Sequence, residues 1–268
     1  MRRRIFPSND LSLMSNLNTL PKTSFFGDHS DRDLYELLKS HYLQSSGWIE
    51  SVKTRRPMRN GSPIPWFTYP AIDFLDSIEL ESKNVLEVGG GFSTLYWALR
   101  GCSGISLELD QDWSIEITNT LSRLAYSNRI TVVNILNPLN KPRLRAQDFL
   151  DSRLIDQLSS ISSDEYPEES LNFIENDTVL IEHLLRYLPN CDLFIVDGIA
   201  RNLCLMMADK LCRDSALIIL DNSDRINYSI GKNYLVSNGF EPTIFTGLGP
   251  INPYQWSTTL YRKQEFRS

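Results

Sequence analysis

The chain has 268 residues, of which 41% are hydrophobic and 22% charged, a composition typical of globular proteins. This length allows one large domain or two small ones. The formal net charge of −6 argues against a dedicated nucleic-acid-binding protein, whose surface is usually basic.

Targeting signals and cysteine usage point to the cytoplasm. The chain begins with the basic segment MRRRIF, but no apolar segment follows it, so we expect no signal peptide. No apolar run approaches the roughly 18 residues of a membrane-spanning helix. The four cysteines show neither a CxxC pair nor zinc-ligand spacing, which favours unpaired core thiols in a reducing compartment.

Residues 1–65 are polar and irregular, and we predict that they form an amino-terminal extension with one helical patch, DRDLYELLKSHYLQ. The segment GSPIPW, residues 61–66, contains two prolines and a glycine and is typical of a linker. The main domain is therefore predicted to span residues 66–268.

Short apolar runs and helical patterns alternate along this domain. This order predicts an α/β fold with a doubly wound, Rossmann-like, mostly parallel sheet whose strands are buried on both faces. The last two runs are joined by only LGPINPYQ, too short for a crossover helix, so they are predicted to form an antiparallel hairpin at the sheet edge. The predicted strands are NVLEV, GISLEL, RITVVNI, DLFIVD, ALIILD, PTIFTG and WSTTLYR.

One connection, residues 136–191, is longer than a single crossover requires. Within it, residues 151–178 contain eight acidic residues and one basic residue, Arg153. We therefore predict an acidic insertion at about residues 136–178. A solvated acidic loop is the simpler interpretation, and a lid over a substrate site is the alternative.

The stretch VLEVGGGFST joins the first strand of the domain to a helix through three glycines. Such a turn lets the backbone approach a ligand closely, and the helix amides that follow can receive an anion. A dinucleotide fingerprint would have a third glycine where Thr94 stands, which weakens a nicotinamide assignment. The candidate cofactor-binding residues here are Glu87, Gly89, Gly90, Gly91, Ser93 and Thr94.

The second strand ends near Glu108, about 20 residues after Gly89, where an acidic side chain commonly accepts hydrogen bonds from ribose hydroxyls. Asp110 is a neighbouring candidate. Asp112 is predicted to cap a helix that begins at Trp113. An ordinary strand-to-helix connection without a ligand is the structural alternative for the whole turn.

VLEVGGGFSTLYWAL followed by SLELDQDW resembles the start of class I S-adenosylmethionine-dependent methyltransferases. DLFIVDGIAR, ALIILDNSDR, TIFTG and STTLY are similar to a group of small members, and the resemblance covers roughly residues 60–263. It implies that residues 89–91 hold the methionine part of S-adenosylmethionine and that Glu108 holds the ribose. It also implies the antiparallel edge hairpin.

Asp197 and Asp221 each end a predicted strand, and Asn222 follows the second. Carboxyl ends of parallel strands meet at one crevice, where three such oxygen ligands suit Mg²⁺. The pattern resembles metal-dependent catechol-type O-methyltransferases, but Arg201 stands one place beyond that family's lysine. The alternatives are that the two aspartates cap helices or pair with Arg201 and Arg225, or that either aspartate accepts a proton without metal.

Other residues are weaker candidates. Arg201 and Arg225 are alternative clamps for a substrate carboxylate or phosphate. His183 is predicted to be an ordinary helix residue, with His41 as a less favoured base. Aromatic residues of PWFTYP are predicted either to wall a pocket or to pack against the domain: Trp66, Phe67 and Tyr69.

Together these features predict an S-adenosylmethionine-dependent methyltransferase that methylates an oxygen of a small hydroxylated molecule or sugar. Asp197 and Asp221 are its predicted catalytic residues, with Mg²⁺ as a second cofactor. Neither a nucleic acid nor a membrane is a predicted partner. The alternatives are an NAD-dependent oxidoreductase and a non-catalytic nucleoside-binding module of the same fold.

Overall fold

The computed structural model describes residues 32, 36, 38–137 and 144–264. The chain divides into two compact units, residues 1–43 and 44–268. In the first unit, a π-helix spans Leu38–Leu43, within the predicted helical patch. In the part of the chain described, no helix has the length and apolar character needed to cross a bilayer.

The second unit is built on a seven-stranded sheet with the strand order β5-β4-β3-β6-β7-β9-β8. Strands β3 to β7 are parallel, β9 runs antiparallel to β7, and β8 runs antiparallel to β9. The predicted Rossmann-like fold with its antiparallel edge hairpin is therefore confirmed. The strands are β3 (Asn84–Val88), β4 (Ser103–Glu108), β5 (Ile130–Asn134), β6 (Leu193–Val196), β7 (Leu217–Leu220), β8 (Phe240–Gly247) and β9 (Trp256–Lys263).

Helices cover both faces of this sheet, so its central strands are apolar on both sides. In β6, Phe194 and Val196 enter one core, while Leu193 and Ile195 enter the other. Helices α2 to α4 contribute to the second core and α5 to α9 to the first. The helices are α1 (Trp48–Thr54), α2 (Tyr69–Ser77), α3 (Phe92–Leu99), α4 (Gln111–Arg123), α5 (Ser152–Ser159), α6 (Leu171–Asp177), α7 (Leu180–Tyr187), α8 (Arg201–Leu211) and α9 (Ser229–Ser237).

Residues 44–65 belong to the same compact unit as the sheet, although the predicted domain begins at residue 66. They form α1 and a small hairpin, β1 (Met58–Arg59) and β2 (Ser62–Pro63). Arg59 pairs with Asp73 of α2 at 2.8 Å. The predicted linker GSPIPW thus includes strand β2 of this hairpin, and the ion pair of Arg59 in β1 connects the hairpin to α2.

The predicted acidic insertion is not a solvated loop; that interpretation is wrong. Its described residues form α5, α6 and short 3₁₀ turns, and the acidic side chains lie mostly on the outer faces of these elements. Leu154, Leu158 and Ile174 are buried in one of the two cores. Their burial stabilises the insertion as part of the domain, since each buried leucine or isoleucine contributes about 1.5–3 kcal/mol.

Candidate functional site

The glycine turn between β3 and α3 packs against the turn that follows β6. Gly89 has a φ of 95°, and a Cβ at this position would lie 2.5 Å from the backbone nitrogen of Gly198. A Cβ at Gly90 would lie 2.6 Å from Oγ of Ser106. Position 89 therefore requires glycine, and a Cβ at position 90 would force the Ser106 side chain to move.

A buried hydrogen-bond network supports this turn from below. The Glu87 carboxylate accepts hydrogen bonds from Thr94 Oγ1 at 2.5 Å, Ser106 Oγ at 2.7 Å and Trp97 Nε1 at 3.0 Å. Burial raises the pKa of Glu87. The backbone N–H of Gly91 donates to Thr94 Oγ1 at 3.0 Å. The threonine that replaces the third fingerprint glycine thus links a strand carboxylate to the turn.

Glu87 and Thr94 are both fully buried, at 0% exposure. They lie beneath the turn and do not line the adjacent clefts. The sequence analysis, in contrast, predicts that they contact the cofactor directly. The glycines and Ser93 do line a cleft of about 430 Å³. We call it the loop cleft; its lining also includes Arg55, Arg56, Pro57, Trp66, Phe92, Trp113 and Asp197.

Glu108 ends β4 beside the glycine turn. Its Oε1 accepts a hydrogen bond from the backbone N–H of Asp110 at 2.8 Å. Burial raises the pKa of Glu108, and hydrogen bonds from the backbone of Asp110, Leu109 and Gly90 partly offset that increase. An acidic side chain held in this way can accept hydrogen bonds from vicinal hydroxyls.

The cap of α4 differs from the prediction. The helix begins at Gln111, and the side chain of Asp110 accepts a hydrogen bond from the backbone N–H of Trp113 at 2.8 Å. Asp112 lies in the first turn of the helix, so its predicted capping role is wrong. Asp110 directly precedes the helix, where its side-chain oxygen can reach the unpaired N–H groups of the first turn.

Glu108 and Asp110 line a second cleft of about 580 Å³, which we call the β4 cleft. Gly89, Gly90 and Asp197 also line it, so it adjoins the loop cleft. Its remaining lining is mainly apolar and suits a flat ring system: Val88, Leu107, Leu109, Ile135, Leu136, Phe173, Gly198 and Ile199. Phe173 comes from the acidic insertion, and its role could not be recognised from the sequence.

A third cleft, of about 360 Å³, lies over the ends of β6 and β7, and we call it the β7 cleft. It shares Trp66 and Asp197 with the loop cleft. Its other lining residues combine aromatic rings, amides and charges: Asp221, Asn222, Asp224, Arg225, Asn252, Tyr254, Gln255 and Trp256. Phe67 and Tyr69 are buried in the core, so only Trp66 of this aromatic segment forms a cleft wall.

Arg201 holds the two acidic turns together. Its guanidinium donates to the backbone oxygens of Asp197 at 2.5 Å, Gly198 at 2.8 Å and Asp221 at 2.7 Å. It also pairs with the Asp197 carboxylate at 3.3 Å. Arg201 is only 6% exposed, so its nitrogens are committed to the protein itself. The alternative that Arg201 pairs with Asp197 is confirmed, and a substrate-clamping role does not fit.

The two predicted catalytic aspartates have different environments. Asp221 is 2% exposed, and its Oδ1 accepts hydrogen bonds from Trp256 Nε1 at 3.1 Å and Thr258 Oγ1 at 2.6 Å. Burial raises the pKa of Asp221 to about 6. The Asp197 side chain is 22% exposed and lines all three clefts. Burial, and next the charge of Asp221, raise the pKa of Asp197, while Arg201 lowers it.

These residues do not fit the predicted Mg²⁺ site. Oδ1 of Asp221 accepts two hydrogen bonds from the protein, and the positive partner of Asp197 is Arg201. In residues 38–137 and 144–264, no group of three histidine, cysteine, aspartate or glutamate side chains is arranged to hold a metal ion. Asn222 contributes to the β7 cleft with a left-handed backbone, at a φ of 50°.

A buried carboxylate that the sequence analysis missed connects the insertion to α8. Glu169 accepts hydrogen bonds from the backbone N–H groups of Arg201 at 2.8 Å and Asn202 at 3.2 Å. Burial raises its pKa. Glu169 thereby satisfies the first N–H groups of α8 and helps to position Arg201. It is one of several acids in an acidic segment, so no local pattern distinguishes it.

His183 and His41 are the histidines in the described part of the chain. His183 lies in α7 and stacks on Tyr187, with ring centroids 5.9 Å apart, and burial lowers its pKa. This agrees with its prediction as an ordinary helix residue. His41 lies in the unit of residues 1–43, and its role as a base stays a prediction.

Comparisons with known proteins find similar folds. Neither the scan of family models nor the search of curated proteins gives a match. One similar solved structure is the O-methyltransferase from Bacillus cereus in complex with SAH, at 16% identity over 94% of this chain and 97% of that chain, with a TM-score of 0.46.

Two further solved structures are similar to this chain at comparable identity. TomG, an O-methyltransferase from Streptomyces achromogenes involved in tomaymycin synthesis and solved with SAM, is 14% identical over 87% of this chain and 96% of its own, with a TM-score of 0.45. Precorrin-6y C5,15-methyltransferase from Geobacter metallireducens is 12% identical over 69% and 81%, with a TM-score of 0.42. At these identities and scores, the function has to be argued from the site itself.

Proposed function

We propose that this chain is an S-adenosylmethionine-dependent methyltransferase. The observation that supports it best is that three adjoining clefts meet at Asp197. The β4 cleft offers Glu108 for a ribose and apolar walls for an adenine. The loop cleft offers glycine backbone, and the β7 cleft offers space for an acceptor beside a carboxylate.

The residues fit the cofactor at two places. A Cβ at Gly89 or Gly90 would meet the backbone of Gly198 or the side chain of Ser106, so glycine keeps this turn closely packed where it lines the loop and β4 clefts. Glu108 is held by backbone N–H groups with its carboxylate facing the β4 cleft. S-adenosylmethionine supplies an activated methyl group on its sulfonium centre when bound.

The protein then has to orient the acceptor and take up its proton. Asp197 suits this role better than Asp221 because it is more exposed and lies where the three clefts meet. A raised pKa makes its carboxylate a stronger base than an ordinary aspartate. Asp221, whose Oδ1 already accepts two hydrogen bonds, and Arg201 keep the turn that presents Asp197 in place.

The β7 cleft favours a small hydroxylated acceptor, such as a sugar. Trp66 and Tyr254 are 41% and 58% exposed, so their rings can pack against an apolar face of the acceptor. Asn222, Asn252 and Gln255 provide donors and acceptors for hydroxyl groups. A panel assay of methyl transfer that found reaction only at nitrogen acceptors would contradict this part of the proposal.

The first experiment is calorimetric titration of the purified chain with S-adenosylmethionine and, separately, with NAD. We expect the wild type to bind S-adenosylmethionine. In Glu108→Ala the affinity should fall by at least about 10-fold, since a charge-assisted hydrogen bond is removed. Glu182→Ala, an exposed position on α7, is the matched control. Binding of NAD alone would support the oxidoreductase alternative, and cofactor binding without transfer to any acceptor would support the non-catalytic module.

A further inference from the structure

Two arginines line the loop cleft together with the glycine turn. Arg55 and Arg56 come from the segment between α1 and the β1–β2 hairpin, and both contribute to the same cleft wall as Pro57. Gly89, Gly90 and Gly91 form another part of the lining, together with Asp197. The cleft therefore has guanidinium groups and a carboxylate among its lining groups.

The backbone holds this segment in a defined position. Helix α1 ends at Thr54, and Arg55 adopts a left-handed conformation with φ 55° and ψ 32°. The backbone N–H groups of Arg55 and Arg56 both donate to the carbonyl oxygen of Ser51, and Pro57 is buried. A left-handed arginine is strained, because glycine is the residue that usually occupies this conformation at a helix end.

The two guanidinium groups have no ion-pair partner in residues 38–137 and 144–264. Arg59, in contrast, pairs with both Asp73 and Asp76, and Arg100 pairs with Asp76. The positive charges at Arg55 and Arg56 are therefore available to a ligand in the loop cleft. A planar guanidinium binds a carboxylate through two parallel hydrogen bonds.

A ligand with an anionic group would match the two arginines of this lining. The carboxylate of an α-amino acid is such a group, and Asp197 remains the proposed base for the acceptor. The loop cleft, at about 430 Å³, is of the size expected for part of a small-molecule site. It adjoins the β4 cleft, which we assign to the nucleoside.

We propose that Arg55 and Arg56 bind the α-carboxylate of the methionine part of S-adenosylmethionine. This inference rests on the proposed function and adds two cofactor-binding residues that lie outside the glycine turn. Both come from residues 44–65, so it also gives a functional reason for this segment to be part of the compact domain.

The test compares two ligands that share the nucleoside and the thioether but differ in the amino acid. S-adenosylhomocysteine has the carboxylate and ammonium groups, and 5′-methylthioadenosine has neither. In calorimetry, we expect Arg55→Gly and Arg56→Ala each to lower the affinity for S-adenosylhomocysteine by about 10-fold, since each removes a charge-assisted contact. The dissociation constant of 5′-methylthioadenosine should change less than about 2-fold.

The variants are chosen so that folding is retained. Glycine accepts the left-handed backbone at position 55 without strain, and Arg56 is exposed. Lys53→Ala removes one positive charge from exposed α1 without touching the cleft and should change neither affinity. Glu108→Gln should lower the affinity for both ligands, because both contain the ribose.

The outcomes separate this inference from the function on which it rests. Wild-type binding of both ligands, with S-adenosylhomocysteine affinity unchanged in the arginine variants, would overturn the inference and leave the proposed function standing. An equal loss of affinity for both ligands would also overturn it, since the arginines would then affect binding of the shared nucleoside and not only of the amino acid. Failure of the wild type to bind either ligand would overturn both.

Discussion

The turn after β3 and the turns after β6 and β7 lie at the same edge of the sheet but are built differently. The first consists of consecutive glycines supported by Glu87 and Thr94 from its own neighbourhood in the chain, and its Gly89 packs against Gly198 of the turn after β6. The acidic turns depend on groups from distant segments: Arg201 connects them, while Trp256 and Thr258 of β9 hold Asp221.

This difference explains which predictions could be made. The glycines and their supporting Glu87 and Thr94 are close in the chain and leave a pattern in the sequence. The acidic turns leave only an isolated aspartate at the end of an apolar run. The comparison also predicts that substitutions in the two regions will differ in kind. Substitutions at the glycine turn should destabilise the protein through steric overlap and backbone strain. Substitutions at the acidic turns should act through loss of charge and of buried hydrogen bonds.

The largest expected effect is that of Asp197→Asn on the rate of methyl transfer. Removing a general base typically lowers a rate by 10²–10⁴-fold, so we expect a loss of roughly 10³-fold in kcat for the acceptor found in the panel assay. The wild-type rate should rise with pH through the raised pKa of Asp197, because only the carboxylate accepts a proton. The variant should lack this dependence.

Asp214→Asn, at a side chain 82% exposed, is the control and should retain the wild-type rate. An Asp197→Asn variant with nearly normal kcat would exclude Asp197 as the base. The acidic turns would then have a structural role and no catalytic one.

Arg201→Met should lower the free energy of unfolding by about 3 kcal/mol. The substitution keeps an apolar stem but leaves three backbone oxygens and the Asp197 carboxylate without their shared donor. Urea unfolding measures the change. Arg225→Met, at an exposed residue bonded to the Tyr228 hydroxyl, should change stability by less than about 0.5 kcal/mol. Equal effects at the two arginines would contradict the supporting role of Arg201.

Gly89→Ala should destabilise the protein by about 2 kcal/mol and weaken cofactor binding. The added methyl group would meet the backbone of Gly198, in addition to the strain of a positive φ. Gly239→Ala separates the two causes, because its φ is 85° but no atom lies within 4 Å of its Cβ position. In that variant the free energy of unfolding in urea should fall by only about 1 kcal/mol. Identical costs would show that packing against Gly198 contributes nothing.

Asp221→Asn should have the smallest effect, an increase in stability of about 1 kcal/mol at pH 8. Burial raises the folded-state pKa of Asp221 to about 6, so its charged form is disfavoured in the folded protein. Wild-type stability should accordingly fall as pH rises from about 4 to above 6. Asparagine keeps an oxygen for Trp256 and Thr258 but removes the titration, so the variant's unfolding free energy should depend less on pH over this range.

Much of the fold and part of the site could be predicted because their signals are local. Alternating apolar runs and helical patterns are sufficient for the parallel sheet, and the short LGPINPYQ connection for the edge hairpin. Glycines that permit a tight turn, followed by Glu108 at the end of the next strand, mark one side of the site. Each of these features follows from neighbouring residues and from the geometry that all parallel sheets share.

Only the tertiary structure decided how the charged residues are used. Arg201 was a candidate clamp and is instead a buried support, because folding brings three carbonyl oxygens around it. Glu169 and Phe173 are part of an acidic segment, yet one is buried against α8 and the other lines the β4 cleft. Burial and pairing depend on residues far apart in the chain, so one sequence pattern is compatible with several roles for the same side chain.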